Sequence, residues 1–247
     1  MMRASTFEFR NRVWIITLIF LIGFGCSAFD HRMAGRFLSR TIAGADANSA
    51  RLHSIFRIVF GAGTLFILAG AMIRTWAAAH LRSAVVHDAN LRTEGLVADG
   101  PYRYVRNPLY LGTLLMTMGI GLLGSPIGWF VLVIAMLLFE LRLMFREEAE
   151  LSATQGESYG VYCAAVPRLW PALRPRVRSS GARPQWMQGF AGELMMWGLA
   201  AALGVYALTL KLQYTYWLIA LSVAFLLLIV PLWKRLAHPR PAAVNAP

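Results

Sequence analysis

The stretch Gly100-Pro101-Tyr102-Arg103-Tyr104-Val105-Arg106-Asn107-Pro108-Leu109-Tyr110-Leu111-Gly112 concentrates side chains suited to holding a small charged molecule. Arg106 presents a planar fork that grips a carboxylate or phosphate at two points. An arginine at an apolar boundary also serves as a snorkelling anchor. Tyr102 and Tyr104 offer flat faces with hydroxyl ends, suited to stacking a ring or to an interfacial aromatic belt. A second polar cluster, Arg146-Glu147-Glu148, lies downstream. Its two carboxylates can take an ammonium or a sulfonium, or form a solvated helix end. Acids at a helix C-terminus meet an unfavourable dipole, so two in succession add weight to the functional reading. Glu140 sits inside an apolar run, where charge is costly and usually functional; it can instead pair with Arg142 or Arg74, or lie at a wet interface. Cys26 and Cys163 are too far apart in sequence to suggest a disulfide framework or a zinc site.

The elements that must position these groups are apolar. The chain has 247 residues, 57% hydrophobic and 15% charged, against about 25% charged in soluble domains. The apolar residues cluster into six runs of membrane-spanning length: 13–29, 56–79, 109–124, 126–145, 190–210 and 214–233. The first reads as a retained span rather than a signal peptide, since no small-residue cleavage pattern follows it. The expected fold is all-α and polytopic, with about six transmembrane helices. Pro108 opens the third span as a first-turn proline, and Gly124-Ser125-Pro126 turns the chain into the fourth. The hairpin arms, Arg106 to Ser125 and Ser125 to Glu147, are about 28 and 33 Å long at a helical rise. They leave and return at one face, so both polar clusters are expected to meet there.

Net charge is +12, and all basic residues except Lys211 and Lys234 are arginine. With no basic, aromatic-studded domain outside the spans, this charge reads as basic loops against an anionic leaflet rather than as a nucleic-acid surface. With the N-terminus inside, 18 basic residues fall on the inner side and 6 on the outer, as the positive-inside rule requires. The site then faces the cytoplasm from the cell membrane. Three regions follow: 1–89 with two spans, 90–175 with the hairpin and site, and 176–247 with two spans and a Pro/Ala-rich tail.

GPYRYVRNPLYLG resembles the Gly-x-Tyr…Arg-His-Pro-x-Tyr-x-Gly motif of the isoprenylcysteine carboxyl methyltransferase family, a phospholipid methyltransferase-like group of integral membrane enzymes. EEAELSATQGESYGVYCAAVPRLWP continues the likeness: Glu-Glu-x-x-Leu, then Gly-x-x-Tyr-x-x-Tyr, then Val-Pro-Arg. The resemblance spans about residues 90–171. It implies S-adenosylmethionine as methyl donor at the cytoplasmic face and a lipophilic acceptor entering from the membrane lipids. Cofactor contacts are then expected on Glu94, Gly95, Leu96, Val97, Tyr102, Asn107, Pro108, Leu109, Tyr110, Glu147 and Glu148. Arg106 and Arg146 are the expected catalytic residues, with Arg142 the alternative to Arg146 for holding an acceptor carboxylate.

Asn107 stands where that family usually has histidine. Asn can donate and accept but cannot titrate near neutral pH, which removes a general base. A carboxylate is already ionised at neutral pH, whereas an ammonium must first lose a proton; a carboxylate acceptor is therefore favoured. Two rival readings remain. Membrane sterol and steroid reductases carry a similar Arg-His-Pro-x-Tyr segment and use NADPH, but no group for its 2′-phosphate is apparent. An inactive hairpin serving as an assembly or binding subunit rests on Asn107 alone.

Overall fold

The computed structural model describes residues 3–44, 48–88 and 98–237. They fold into ten helices: α1 (Thr6–Arg10), α2 (Arg12–Gly25), α3 (Ala34–Ala43), α4 (Ser49–Asp88), α5 (Pro108–Ile120), α6 (Pro126–Gln155), α7 (Glu157–Ala165), α8 (Trp186–Gly192), α9 (Leu194–Thr209) and α10 (Leu212–Ala237). No strand occurs among the described residues, as the all-α expectation requires.

The hairpin forms where its punctuation places it. Pro108 occupies the first turn of α5, where its missing N–H costs nothing. The Ser125 side chain accepts from the Gly128 amide at 3.0 Å and caps α6, with Pro126 in the first turn. α6 runs ten residues past the apolar stretch that ended at 145, to a Gly156 in the positive-φ region (+57°). Glu, Ala and Leu are good helix formers and nothing before Gly156 stops them. Glu147 and Glu148 therefore lie within a helix rather than at its C-terminus, and the dipole penalty expected for them does not apply. α4 likewise extends well beyond the apolar run 56–79 at both ends.

Close backbone contact holds α4 and α5 antiparallel. A Cβ on Gly70 would lie 2.5 Å from the Gly112 carbonyl oxygen, and one on Gly119 would collide with the Gly63 carbonyl oxygen. The glycines recur every seven residues on each helix, so both contacts fall on one seam. α2 crosses α6 the same way at Gly23 and Gly128. α9 completes the core against α4: Phe56, Phe60 and Ile67 pack with Met116, Ile120, Leu199, Leu203 and Tyr206. The Phe60 and Tyr206 rings meet edge to face at 4.6 Å.

Outward faces remain apolar, with Trp14, Leu18, Leu65, Phe130, Ile134, Leu138, Trp217 and Leu221 all exposed. Such surface suits a bilayer solvent. Among the described residues, two helices are long and apolar enough to cross a membrane, Ser49–Leu81 and Pro126–Gln155. A third crossing results if α8 and α9, bent by 62° at Glu193, count as one span. Of the remaining apolar segments, Arg12–Ala28 and Pro108–Leu123 are shorter helices of 10–17 residues, while Leu212–Phe225 is the first part of the 26-residue α10.

Candidate functional site

The chain enters the site through a 3₁₀ turn, Gly100–Arg103. Gly100 has φ +57°, and a Cβ there would lie 2.5 Å from the His80 Nδ1, so both backbone and space require glycine. Asp99, 1% exposed, anchors the entry. Burial alone would raise its carboxyl pKa, but donors from Ser179, Ser180 and Ala182 outweigh that and hold it below the usual range. The 166–182 loop is thereby strapped over the entry. The Ala172 amide donates to the Tyr104 carbonyl at 2.9 Å, the Arg176 amide to the Arg103 carbonyl at 2.8 Å and the Arg106 amide to the Pro167 carbonyl at 2.9 Å. The Tyr162 hydroxyl donates to the Tyr102 carbonyl at 2.9 Å, and burial raises the pKa of both phenols.

The two polar clusters meet. Arg106 Nη1 lies 3.2 Å from Glu148 Oε2. Asn107 Nδ2 donates to Glu148 Oε1 at 3.0 Å and to the Arg168 carbonyl at 3.1 Å. Arg168 Nη2 reaches Glu148 Oε2 at 2.8 Å while its guanidinium lies over the Phe145 ring at 4.4 Å. Beside this corner the Tyr110 hydroxyl donates to Glu147 Oε1 at 2.9 Å. The two glutamates differ. Glu148 is 8% exposed and its oxygens take donors from three residues, so it organises the corner. Glu147 takes its one side-chain hydrogen bond here from a neutral phenol, which leaves its negative charge for a cationic or hydroxyl-bearing ligand.

Other expected site residues have partners of their own. Arg106 Nη1 also reaches Cys163 Sγ at 2.9 Å. Its fork faces protein groups rather than open space. The Tyr104 ring lies against Trp76 at 5.9 Å. Pro108 and Leu109 form the first turn of α5, and the Leu109 carbonyl accepts from Arg74 Nη1 at 3.1 Å. Arg146 pairs with Glu150 at 2.8 Å and contacts the Ala4 carbonyl and Thr6 hydroxyl. Arg142 pairs with Glu8 at 2.8 Å. Glu140 is 1% exposed and lies beside Thr113 and Arg74. Arg74 itself forks onto Glu193 at 2.6 and 3.0 Å, so Glu140 is neither wet nor the main partner of Arg74. Glu94, Gly95, Leu96 and Val97 lie outside the described residues. No group of three or more metal-ligating residues occurs among the described residues.

Arg168, Cys163 and Glu8 were missed as site residues from sequence. Arg168 had a signal in its Val-Pro-Arg motif. Glu8 had none beyond the Ser5-x-x-Glu8 capping box, which marks a helix start and nothing more.

An acidic, half-buried Glu147 beside a phenol suits a sulfonium nucleoside, offering negative charge to the cation and hydrogen-bond partners to hydroxyls. Residues 57–158 match the model of a family described as phospholipid methyltransferase. The matched stretch takes in α4 from residue 57 onward and both hairpin arms, including Arg106 to Tyr110 and Arg146 to Glu148. This family match and the motifs of the hairpin ends fall on the same part of the chain, and both point to a membrane methyltransferase. No curated protein and no solved structure matches the chain.

Proposed function

We propose that this chain, with a phospholipid-methyltransferase segment at its centre, is an S-adenosylmethionine-dependent methyltransferase of the cell membrane that esterifies a lipophilic carboxylate. The observation that carries the proposal is the junction of the hairpin ends, with Tyr110 on Glu147 and Asn107 on Glu148. A single small molecule can touch both arms only because the corners adjoin.

Bound there, S-adenosylmethionine supplies an electrophilic methyl group. Glu147 and Tyr110 would hold its charge and hydroxyls, with Tyr102 and the first turn of α5 as further contacts. Arg106 acts through Glu148, keeping the corner shaped and neutralised. Arg146, or Arg142 beside it, holds the acceptor carboxylate. Transfer would move the methyl group from the donor's sulfonium sulfur to an oxygen of the acceptor carboxylate, with the neutral thioether nucleoside leaving. No proton has to leave a carboxylate acceptor, so Asn107 in place of a titratable residue is no obstacle. The residues' task is alignment and exclusion of water.

The six-span arrangement belongs to the same proposal. The two shorter apolar helices, α2 and α5, cross where flanking arginines snorkel and the bilayer thins locally, and α10, at 26 residues, is long enough without that. The charge bias of the loops supports a site at the cytoplasmic face.

Titration calorimetry in detergent tests the proposal. S-adenosylmethionine should bind and NADPH should not. Glu147→Gln and Tyr110→Phe should each weaken binding about tenfold, the loss of a charge-assisted contact, with an unchanged melting temperature. Unaltered affinity in both variants, or preference for NADPH, would sink it.

A further inference from the structure

The segment from Ala4 to Arg12 does something the hairpin does not require. It lies across the face of α6 that carries Arg146 and its alternative Arg142, one of which is expected to hold an acceptor carboxylate. The Ala4 amide donates to the Arg142 carbonyl at 3.0 Å, and its side chain, 5% exposed, packs on Phe139 and Leu143. Phe9, Ile15, Ile16 and Tyr110 belong to the same apolar cluster. Arg146 is tied to the Ala4 carbonyl and Thr6 hydroxyl, both at 3.3 Å, and its guanidinium lies 5.0 Å above the Phe9 ring. Arg12 is close enough to act electrostatically on Tyr110 and Glu147.

Glu8 is the centre of this arrangement. Its carboxylate receives Arg142 Nε at 3.1 Å and Nη2 at 2.8 Å, the two-point geometry of an arginine–carboxylate fork. The same carboxylate receives the Ser5 amide at 2.6 Å, and the Glu8 amide returns to Ser5 Oγ at 3.2 Å. One carboxylate therefore both caps α1 and pins it to α6. The pair is only half-buried, at 36% and 25% side-chain exposure, and such pairs contribute little net stability. Opening them is correspondingly cheap.

We infer that residues 4–12 form a latch over the acceptor entrance, in which Glu8 occupies Arg142 as an internal carboxylate that an anionic amphiphile must displace. This rests on the carboxylate-acceptor reading given above. An entering carboxylate replaces Glu8 on the Arg142 fork, which removes the pin and lets α1 lift from α6. The competition lowers apparent acceptor affinity by the fraction of time the latch is open.

The test uses the full chain in lipid nanodiscs with palmitate as probe and hexadecanol as its uncharged match. Glu8→Gln should bind palmitate about three- to fivefold more tightly than wild type, the range a half-exposed ion pair allows, with hexadecanol affinity unchanged. Palmitate should raise amide hydrogen exchange in residues 3–12 of the wild-type protein. The charge-swapped Glu8→Arg/Arg142→Glu protein should keep that segment protected and lose the palmitate response, which guards against a simple folding defect. Equal palmitate affinity in wild type and Glu8→Gln, no palmitate binding at all, or no change in exchange at 3–12 would overturn the latch. S-adenosylmethionine affinity measured on the same samples separates the outcomes. Retained cofactor binding with a silent segment removes only the latch, whereas absent cofactor binding removes the enzyme reading itself.

Discussion

Glu147 and Glu148 are adjacent and chemically identical, yet their surroundings give them different work. Successive helical residues point about 100° apart, so one faces Tyr110 and the other faces Arg106, Asn107 and Arg168. Removing Glu148 would leave Arg106, whose side chain is only 12% exposed, without its carboxylate. Glu148→Ala should therefore destabilise the protein by about 3 kcal/mol, the cost of breaking a buried pair from one side, seen as a lower melting temperature in detergent. Glu147→Gln should leave that temperature unchanged while lowering cofactor affinity. Equal thermal effects of the two substitutions would show that the glutamates share one structural task.

Among the elements, the hairpin is held to α4 by close backbone approach as well as by side chains. Gly112 faces both Gly70 and the aliphatic stem of Arg74. Arg74 in turn spans three helices, reaching Leu109 and Thr113 on α5 and Glu193 at the α8–α9 bend. A methyl group at Gly112 must push α5 and Arg74 away from α4. Gly112→Ala should cost about 1–3 kcal/mol, as overpacking does, and should disturb the site because Leu109 and Tyr110 start the same helix. Gly61→Ala, where a Cβ meets nothing within 4 Å, is the matched control and should be neutral or mildly stabilising. Comparable melting shifts in the two variants would refute the seam.

For the molecule as a whole, the proposed six-span topology makes the loop over the site and the α9–α10 turn lie on opposite sides of the bilayer. Arg174 is exposed in the loop that covers the site, and Lys211 lies at the turn between α9 and α10. A cysteine introduced at Arg174 should react with a membrane-impermeant maleimide only from the cytoplasmic side. One at Lys211 should react only from the opposite side. Labelling of both from one side would refute the six-span topology.

Apolar runs, Pro108 and Ser125-Pro126 were enough to determine the hairpin in advance, because each acts through the backbone near its own position. The helix count in that region and the meeting of the two polar clusters followed from arm lengths alone. Local chemistry could not tell where α6 would stop. Its polar continuation reads as a loop by hydropathy and as a helix by propensity, and propensity prevails as far as Gly156 although the residues from 150 to 155 are exposed. Nor could it assign partners to arginines, since charge carries no address. Tertiary structure sent Glu8 to Arg142 across 134 positions of chain, set Glu193 on Arg74, and joined Arg168 to Glu148. Such pairings depend on which helix faces lie together, and that is decided by close glycine seams and the filling of separate apolar clusters between the helices.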